Sequence, residues 1–181
     1  MLRSSSSLVA LAVAAAAVAC RGSDGSANGG CDKSIKVPEG FCAAVFTDSA
    51  GPARHIAVRS NGDVIVGVLD QRRQPGGVMI FRDTDKNGRA DASERFGESG
   101  VHGVVLAGDS VLYVSTSSAV IRFRLTDSLT PRRRVDTIVT GLAERKIPSH
   151  SLAMDPHGNL IVNIGAVTNG CQATEAPGAR H

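Results

Sequence analysis

Beyond Cys42 the apolar residues fall into short runs: His55–Val58, Val64–Val68, Val78–Phe81, Val101–Leu106, Val111–Val114, Val120–Leu125, Val135–Val139, Ser151–Met154 and Leu160–Ile164. Between them stand Asn61-Gly62, Gly76-Gly77, Gly108-Asp109 and His157-Gly158, pairs with turn chemistry. No stretch sustains a 3.6-residue period, so the pattern predicts an all-β chain. Val64-Ile65-Val66 and Leu160-Ile161-Val162 are continuously apolar, as expected of strands covered on both faces by neighbouring sheets.

Three segments repeat one scheme: RHIAVRSNGDVIVGV from Arg54, VHGVVLAGDSVLYVS from Val101 and SHSLAMDPHGNLIVNIG from Ser149. Each opens with a histidine, runs through an apolar strand, turns at glycine and resumes as a Val/Ile/Leu strand. The histidines stand at 55, 102 and 150, a period of 47 and then 48 residues. A four-strand unit recurring every ~40–50 residues marks a β-propeller blade, and radial stacking of blades would bury both sheet faces. A β-sandwich calls for no repeat of this length. Residues 43–181 suffice for about three blades, whereas rings close with roughly four to eight. The expectation is therefore a fragment of a longer propeller, or an incomplete gene product, with blade faces left open.

Composition narrows the class. The chain has 181 residues, 42% hydrophobic and 20% charged, with a formal net charge of +3. These values exclude wholesale disorder, a collagenous chain and a polytopic membrane protein, and the charge argues against a nucleic-acid partner.

The N-terminus reads as an export signal. Arg3 supplies a positive end, Leu8–Val18 is uncharged and apolar, and Ala17-Val18-Ala19 precede Cys20; the run falls short of the roughly 20 residues a membrane-spanning helix needs. Small residues followed by cysteine resemble the bacterial lipoprotein signal, in which Cys20 becomes the lipidated first residue; the alternative is an ordinary secretory signal cut nearby. The expected organisation is a signal peptide over residues 1–19, a lipidated terminus and flexible tether over 20–36, and the propeller part over 37–181. The protein would then lie in the periplasm or cell envelope, on the outer face of a bacterial membrane, which it touches through the lipid alone.

Export permits disulfides. Cys31 and Cys42 flank CDKSIKVPEGFC, whose Pro38-Glu39-Gly40 turn could bring the sulfurs together and stabilise the fold by roughly 3 kcal/mol. The alternative is two unpaired buried thiols. Cys171 then has no partner before His181.

The strongest chemical motif is RDTDKNGRADASERF. Counted from Asp83, the positions 1, 3, 5, 6, 7, 9 and 12 hold Asp83, Asp85, Asn87, Gly88, Arg89, Asp91 and Glu94, filling D-x-[DN]-x-[DN]-G-x5-E throughout. Oxygen donors of this kind suit Ca²⁺, with Arg89 offering its carbonyl, Gly88 the sharp turn and Glu94 two closing oxygens. The alternative is a solvated acidic turn neutralised by Arg82, Lys86, Arg89 and Arg95. The flanks read as strands, so the loop is expected to clip two strands of the first blade rather than to form a helical calcium domain.

The repeated histidines admit two roles. At the starts of innermost strands they could converge on the central channel and bind a metal or move protons. At a blade rim each would instead bond a backbone carbonyl of its neighbour. His157 belongs to a turn. Arg132-Arg133-Arg134 reads as a solvated connection. The chain has no Gly-x-Ser-x-Gly, Walker, Gly-x-Gly-x-x-Gly or Cys-x-x-Cys motif, which leaves hydrolase, NTPase and nicotinamide readings without support.

The segments KVPEGFCAAVF, GPARHIAVRSNGDVIVGV, DTDKNGRAD and HSLAMDPHGNLIVNIG together resemble the quinoprotein sugar dehydrogenases of the sorbosone and soluble glucose dehydrogenase type, from about Val37 to Cys171. The resemblance implies a six-bladed propeller, pyrroloquinoline quinone (PQQ) held in the channel with calcium, and oxidation of a sugar hydroxyl or aldehyde, a histidine taking the proton while hydride passes to the quinone. A sugar substrate and an electron-acceptor protein are the implied partners. The family runs His-x-x-Arg-x-Leu or His-x-x-x-Arg-Leu at the blade bearing the base. Register fixed on Leu152 and Gly165 puts Ile147 at the histidine and His150 at the arginine of the first form, and His150 is the candidate base that remains. The alternative function is a non-catalytic, calcium-stabilised propeller that binds carbohydrate or protein at the cell envelope.

Overall fold

The computed structural model describes residues 30–142 and 149–165. Cys20, Ile147, Cys171, His181 and the expected signal peptide lie outside them. Strands β1 (Ala53–Val58), β2 (Val64–Val68), β3 (Gly77–Arg82) and β4 (Ala92–Phe96) form one four-stranded sheet. A second contains β5 (Gly103–Ala107), β6 (Val111–Ser115), β7 (Ala119–Arg124) and β8 (Asp136–Thr140). Strands β9 (Leu152–Met154) and β10 (Leu160–Val162) make a hairpin. Each strand pairs antiparallel with its sequence neighbour in the same sheet. The first strands, β1, β5 and β9, lie beside one another in succession, as the innermost strands of neighbouring blades do. The chain is therefore an all-β partial propeller. Its described part holds two whole blades and the opening hairpin of a third, where about three were expected.

Burial explains the continuous apolar runs. On one face of the first blade Ile65, Val78 and Ile80 meet Val101, Val104, Leu112, Val114, Phe123 and Leu125 of the second in one core. The register pairs Ile65 with Ile80 and Gly67 with Val78, so these residues share a face. On the opposite face Val66, Val68 and Phe81 are covered by Phe46 and Ala50, which precede β1. Each buried aliphatic side chain contributes roughly 1.5–3 kcal/mol. Gly67 sets how closely the blades approach, because a Cβ there would lie 2.6 Å from Val101 Cγ1. The covering segment is stapled by a disulfide between Cys31 and Cys42, the pairing read from their spacing. Arg134 is 92% exposed and 3.6 Å from Asp136, a solvated strand connection as expected.

Candidate functional site

Antiparallel order puts the β1–β2 and β3–β4 connections at one end of a blade and the β2–β3 and β4–β5 connections at the other. Two polar assemblies form at these opposite ends.

At one end the entries to the three innermost strands meet. His55 lies within β1, His102 immediately precedes β5, and His150 stands two residues before β9. Arg54 Nη2 donates to Ser149 Oγ at 3.0 Å, linking blade one to the start of blade three across the intervening blade. The rings of His102 and His150 meet edge to face, with centroids 6.3 Å apart. Glycine makes this convergence feasible: a Cβ on Gly103 would lie 2.5 Å from the His150 carbonyl oxygen, which itself accepts a hydrogen bond from Ser115 Oγ. Asp70 accepts from the main-chain N–H groups of Gly76 and Gly100, the latter at 2.9 Å, and so ties the β2–β3 loop to the residues leading into β5.

The histidines differ in what they can do. His150 is fully buried, with Nε2 3.2 Å from the Ser117 carbonyl and Nδ1 3.4 Å from the Asn163 carbonyl. Both nitrogens thus face main-chain oxygens, one from blade two and one from blade three. That is the rim role weighed for the repeated histidines, and it leaves His150, the candidate base, no ring nitrogen directed at a ligand. His102 is half-buried, and its Nδ1 is a buried polar atom with no hydrogen-bond partner. Burial lowers the pKa of His102, helped by the nearby charge of Arg54 and by His150 and His55, while Asp70 pulls it up. Burial, then Arg54, lowers that of His55.

At the opposite end Asp63 is completely buried. It accepts from Arg59 Nη1 at 2.9 Å, from Arg82 through Nε at 2.6 Å and Nη2 at 2.8 Å, and from Asn61 Nδ2 at 2.9 Å. Arg59 also donates to the main-chain oxygens of Asp109 and Thr126 in blade two, at 2.8 and 3.0 Å. Burial pushes the Asp63 carboxyl up, but hydrogen bonds from Arg82 and Asn61 and the two guanidinium charges outweigh it and hold its pKa below the usual value.

The acidic loop joins β3 to β4, as expected, and therefore lies at the Asp63 end, away from the histidines. Asp83 and Asp85 both accept from the N–H of Asn87, at 3.1 and 3.2 Å, and Asn87 Oδ1 accepts from the N–H of Arg89 at 2.9 Å. Asp83 also accepts from Gly88 N at 2.7 Å, where a positive φ of 88° suits glycine. The expected ligands Asp83, Asp85, Asn87 and Arg89 are thus wound into one turn. Asp91 instead turns to the N–H and hydroxyl of Thr84, and Glu94 lies exposed on β4, paired with Ile80. Among the described residues no group of three or more His, Cys, Asp and Glu side chains is arranged to hold a metal ion.

The sequence reading missed Arg54, Asp70 and Ser149 in the histidine assembly. A signal existed for two of them: Arg54 and Ser149 each stand one residue before a repeated histidine. Asp70 carries no such mark.

No curated protein is significantly similar to the chain. In structure it is similar to the holo form of the PQQ domain of pyranose dehydrogenase from Coprinopsis cinerea, with a TM-score of 0.61 and 17% identity over 74% of this chain and 32% of that one. It is also similar to a calcium structure of the Trichoderma reesei Carbohydrate-Active Enzymes Family AA12 protein, with a TM-score of 0.57 and 19% identity over 69% of this chain and 32% of that one. The chain thus spans about a third of the length of these proteins. The expected likeness to PQQ-dependent sugar dehydrogenases and the propeller fold are both upheld. Residues 35–180 match the TrAA12-like family, and the chain belongs to it.

Proposed function

We propose that the chain supplies the opening blades of an exported, quinone-dependent sugar oxidoreductase. The observation that carries this reading is the meeting of Arg54, His55, His102, Ser149 and His150 where three innermost strands begin, with one buried ring nitrogen left unpartnered, in a member of the TrAA12-like family. PQQ, a carboxylate-bearing aromatic quinone, would accept hydride from a sugar carbon when bound. Arg54 is the residue here suited to one of its carboxylates, since a guanidinium pairs such groups bidentately. Export is supported by the signal-like N-terminus with Cys20 and by the Cys31–Cys42 disulfide, and the lipid would hold the protein at the cell envelope. An electron-acceptor protein would reoxidise the quinone.

The test is the protein expressed from its complete reading frame, supplied with PQQ and Ca²⁺ and assayed for dye reduction with aldoses and sorbosone. Sugar-dependent reduction is expected. Absence of turnover across the panel, with PQQ shown not to bind, removes the enzyme reading. A non-catalytic, carbohydrate-binding or protein-binding propeller would then stand, favoured by Ile147 at the family's base position and by the tethered nitrogens of His150.

Calcium in the Asp83–Glu94 loop is a separate part of the proposal, supported by the complete motif and the preformed turn at Asp83, Asp85 and Asn87. Binding would require Asp91 to leave Thr84, so the ion is proposed as a structural clip and takes no part in catalysis. Millimolar Ca²⁺ should raise the melting temperature, and Asp83→Ala with Glu94→Ala should abolish the rise. An unchanged rise in the double variant places the ion elsewhere.

A further inference from the structure

We infer that the stapled loop of residues 31–42 is a second membrane contact, seating its apolar side chains in the headgroup region of the bilayer beside the lipid proposed at Cys20. The inference rests on the lipid-anchored reading above, in which the lipid alone touches the membrane, and extends it.

The sequence keeps the loop close to that lipid. Ten residues, 21–30, separate Cys20 from Cys31, and a chain of that length reaches at most about 35 Å. Within this reach the loop presents Ile35, Val37 and Phe41, which are 50%, 41% and 72% exposed. None of the three joins the core of a blade. Among the described residues, every hydrogen bond of the loop stays within residues 32–43. Ser34 donates through N and Oγ to the Asp32 carboxylate, Ile35 N to Asp32 O, Phe41 N to Pro38 O, and Asp32 N to Ala43 O at 2.7 Å. The Cys31–Cys42 disulfide joins the two ends, so the apolar side chains are displayed without the ordering cost that a free segment would carry. Lys33 and Lys36 balance Asp32 and Glu39 in charge. Attraction to the bilayer therefore comes from apolar burial at the interface, with the lysine stems extending to the headgroups.

The attachment of the loop also sets an orientation. Phe46 O, just after Cys42, accepts from Ala90 N at 2.9 Å, and Asp48 lies 3.7 Å from Arg89. Both partners belong to the β3–β4 connection, so the loop is rooted at the Asp63 end of the first blade. Seated on the bilayer there, it turns the histidine end away from the membrane, toward the side from which a dissolved sugar arrives.

The test uses the full-length protein made without residues 1–19 and with Cys20→Ser, which carries no lipid. It should co-sediment with vesicles of phosphatidylethanolamine and phosphatidylglycerol. Ile35→Ser together with Phe41→Ser should lower its partition coefficient by about tenfold or more, without moving the melting temperature measured in the absence of vesicles. In Phe41→Trp the added emission should be quenched by lipid brominated on its acyl chains. Absence of binding, equal binding by the double serine variant, or absence of quenching in Phe41→Trp overturns the inference. So does a fall in melting temperature in the double variant, which would show the loop packed against the remainder of the chain. The lipid is checked apart from this, by the mass of the N-terminal peptide of the natural protein. An unacylated Cys20 overturns the lipid reading, whereas vesicle binding lost on changing the loop upholds the contact without it.

Discussion

The two ends of the blades bury polar groups to different effect. At the Asp63 end a carboxylate with no exposed surface is met by two arginines and an asparagine, and Arg59 passes the connection to two carbonyls of the next blade. At the histidine end His150 is equally buried and tethered, yet its neighbour His102 keeps one buried nitrogen unpartnered. The first arrangement is saturated and can only hold blades together. The second leaves a valence open in a place reached by three blades. Burial alone does not separate a clamp from a site; the count of satisfied lone pairs and protons does.

The largest effect should follow from emptying the clamp. Asp63→Ala leaves Arg59, whose side chain is 6% exposed, as a buried cation without its anion, and removal of one member of such a pair costs about 3–5 kcal/mol. Urea unfolding of the full-length protein measures this, while the activity proposed for the opposite end should be spared in whatever fraction remains folded. Replacing Asp63 and Arg59 together by leucine and methionine should cost less, since the cation then left without its anion is Arg82, whose side chain reaches solvent. A loss below about 1 kcal/mol for Asp63→Ala would show that the clamp does not hold the blades.

A smaller effect is expected from crowding the histidine end. Gly103→Ala places a Cβ 2.5 Å from the His150 carbonyl oxygen, 2.9 Å from Ser115 Oγ and 3.0 Å from the Leu152 main-chain nitrogen. Two of these atoms are backbone, so β5 and β9 must separate, at about 1–3 kcal/mol. The melting temperature should fall, and the His102–His150 contact should loosen in the same variant. Wild-type stability in Gly103→Ala would mean that the innermost strands are not in close contact here.

Much of the fold was legible because it rests on local pattern. The runs Val64–Val68 and Val111–Val114 became β2 and β6, and the 47- and 48-residue histidine spacing located the three innermost strands. Strand β4, ASERF, was harder to read: its outer position leaves most of it exposed, so no apolar run marks it, and its extended form comes from pairing with β3. The site was less legible than the fold. His55, His102 and His150 are equivalent in the repeat, but the carbonyls facing His150 come from residues 117 and 163, and no local pattern reveals them. The clamp escaped notice for the same reason, as Asp63 in an Asn-Gly-Asp turn reads as solvent-facing until Arg82, 19 residues on, is seen to reach it.

The subtlest expected effect is on acid sensitivity, and it separates the two ends by pH. His55 and His102 have pKa values lowered from 6.5 in the folded state, so between their folded values and 6.5 the unfolded chain binds more protons. Stability therefore falls as pH drops through that window and is unaffected above it. Asp63 is lowered from 3.8, so its contribution stays intact above 3.8 and is lost only as pH falls through its folded value. Acid should thus weaken the protein in two steps, the histidine end first and the clamp second. The first step should be shallow, because both rings retain some contact with solvent and their charges are screened. Denaturant midpoints measured across the range should show His102→Asn reducing the upper step, which His55 shares, while leaving the lower one, and Asp63→Asn reducing the lower step, which Asp32, Asp91, Asp109, Asp136 and Asp155 share, while leaving the upper one. A variant that flattened both would mean that the two ends titrate as one unit, and the distinction between clamp and site would fail.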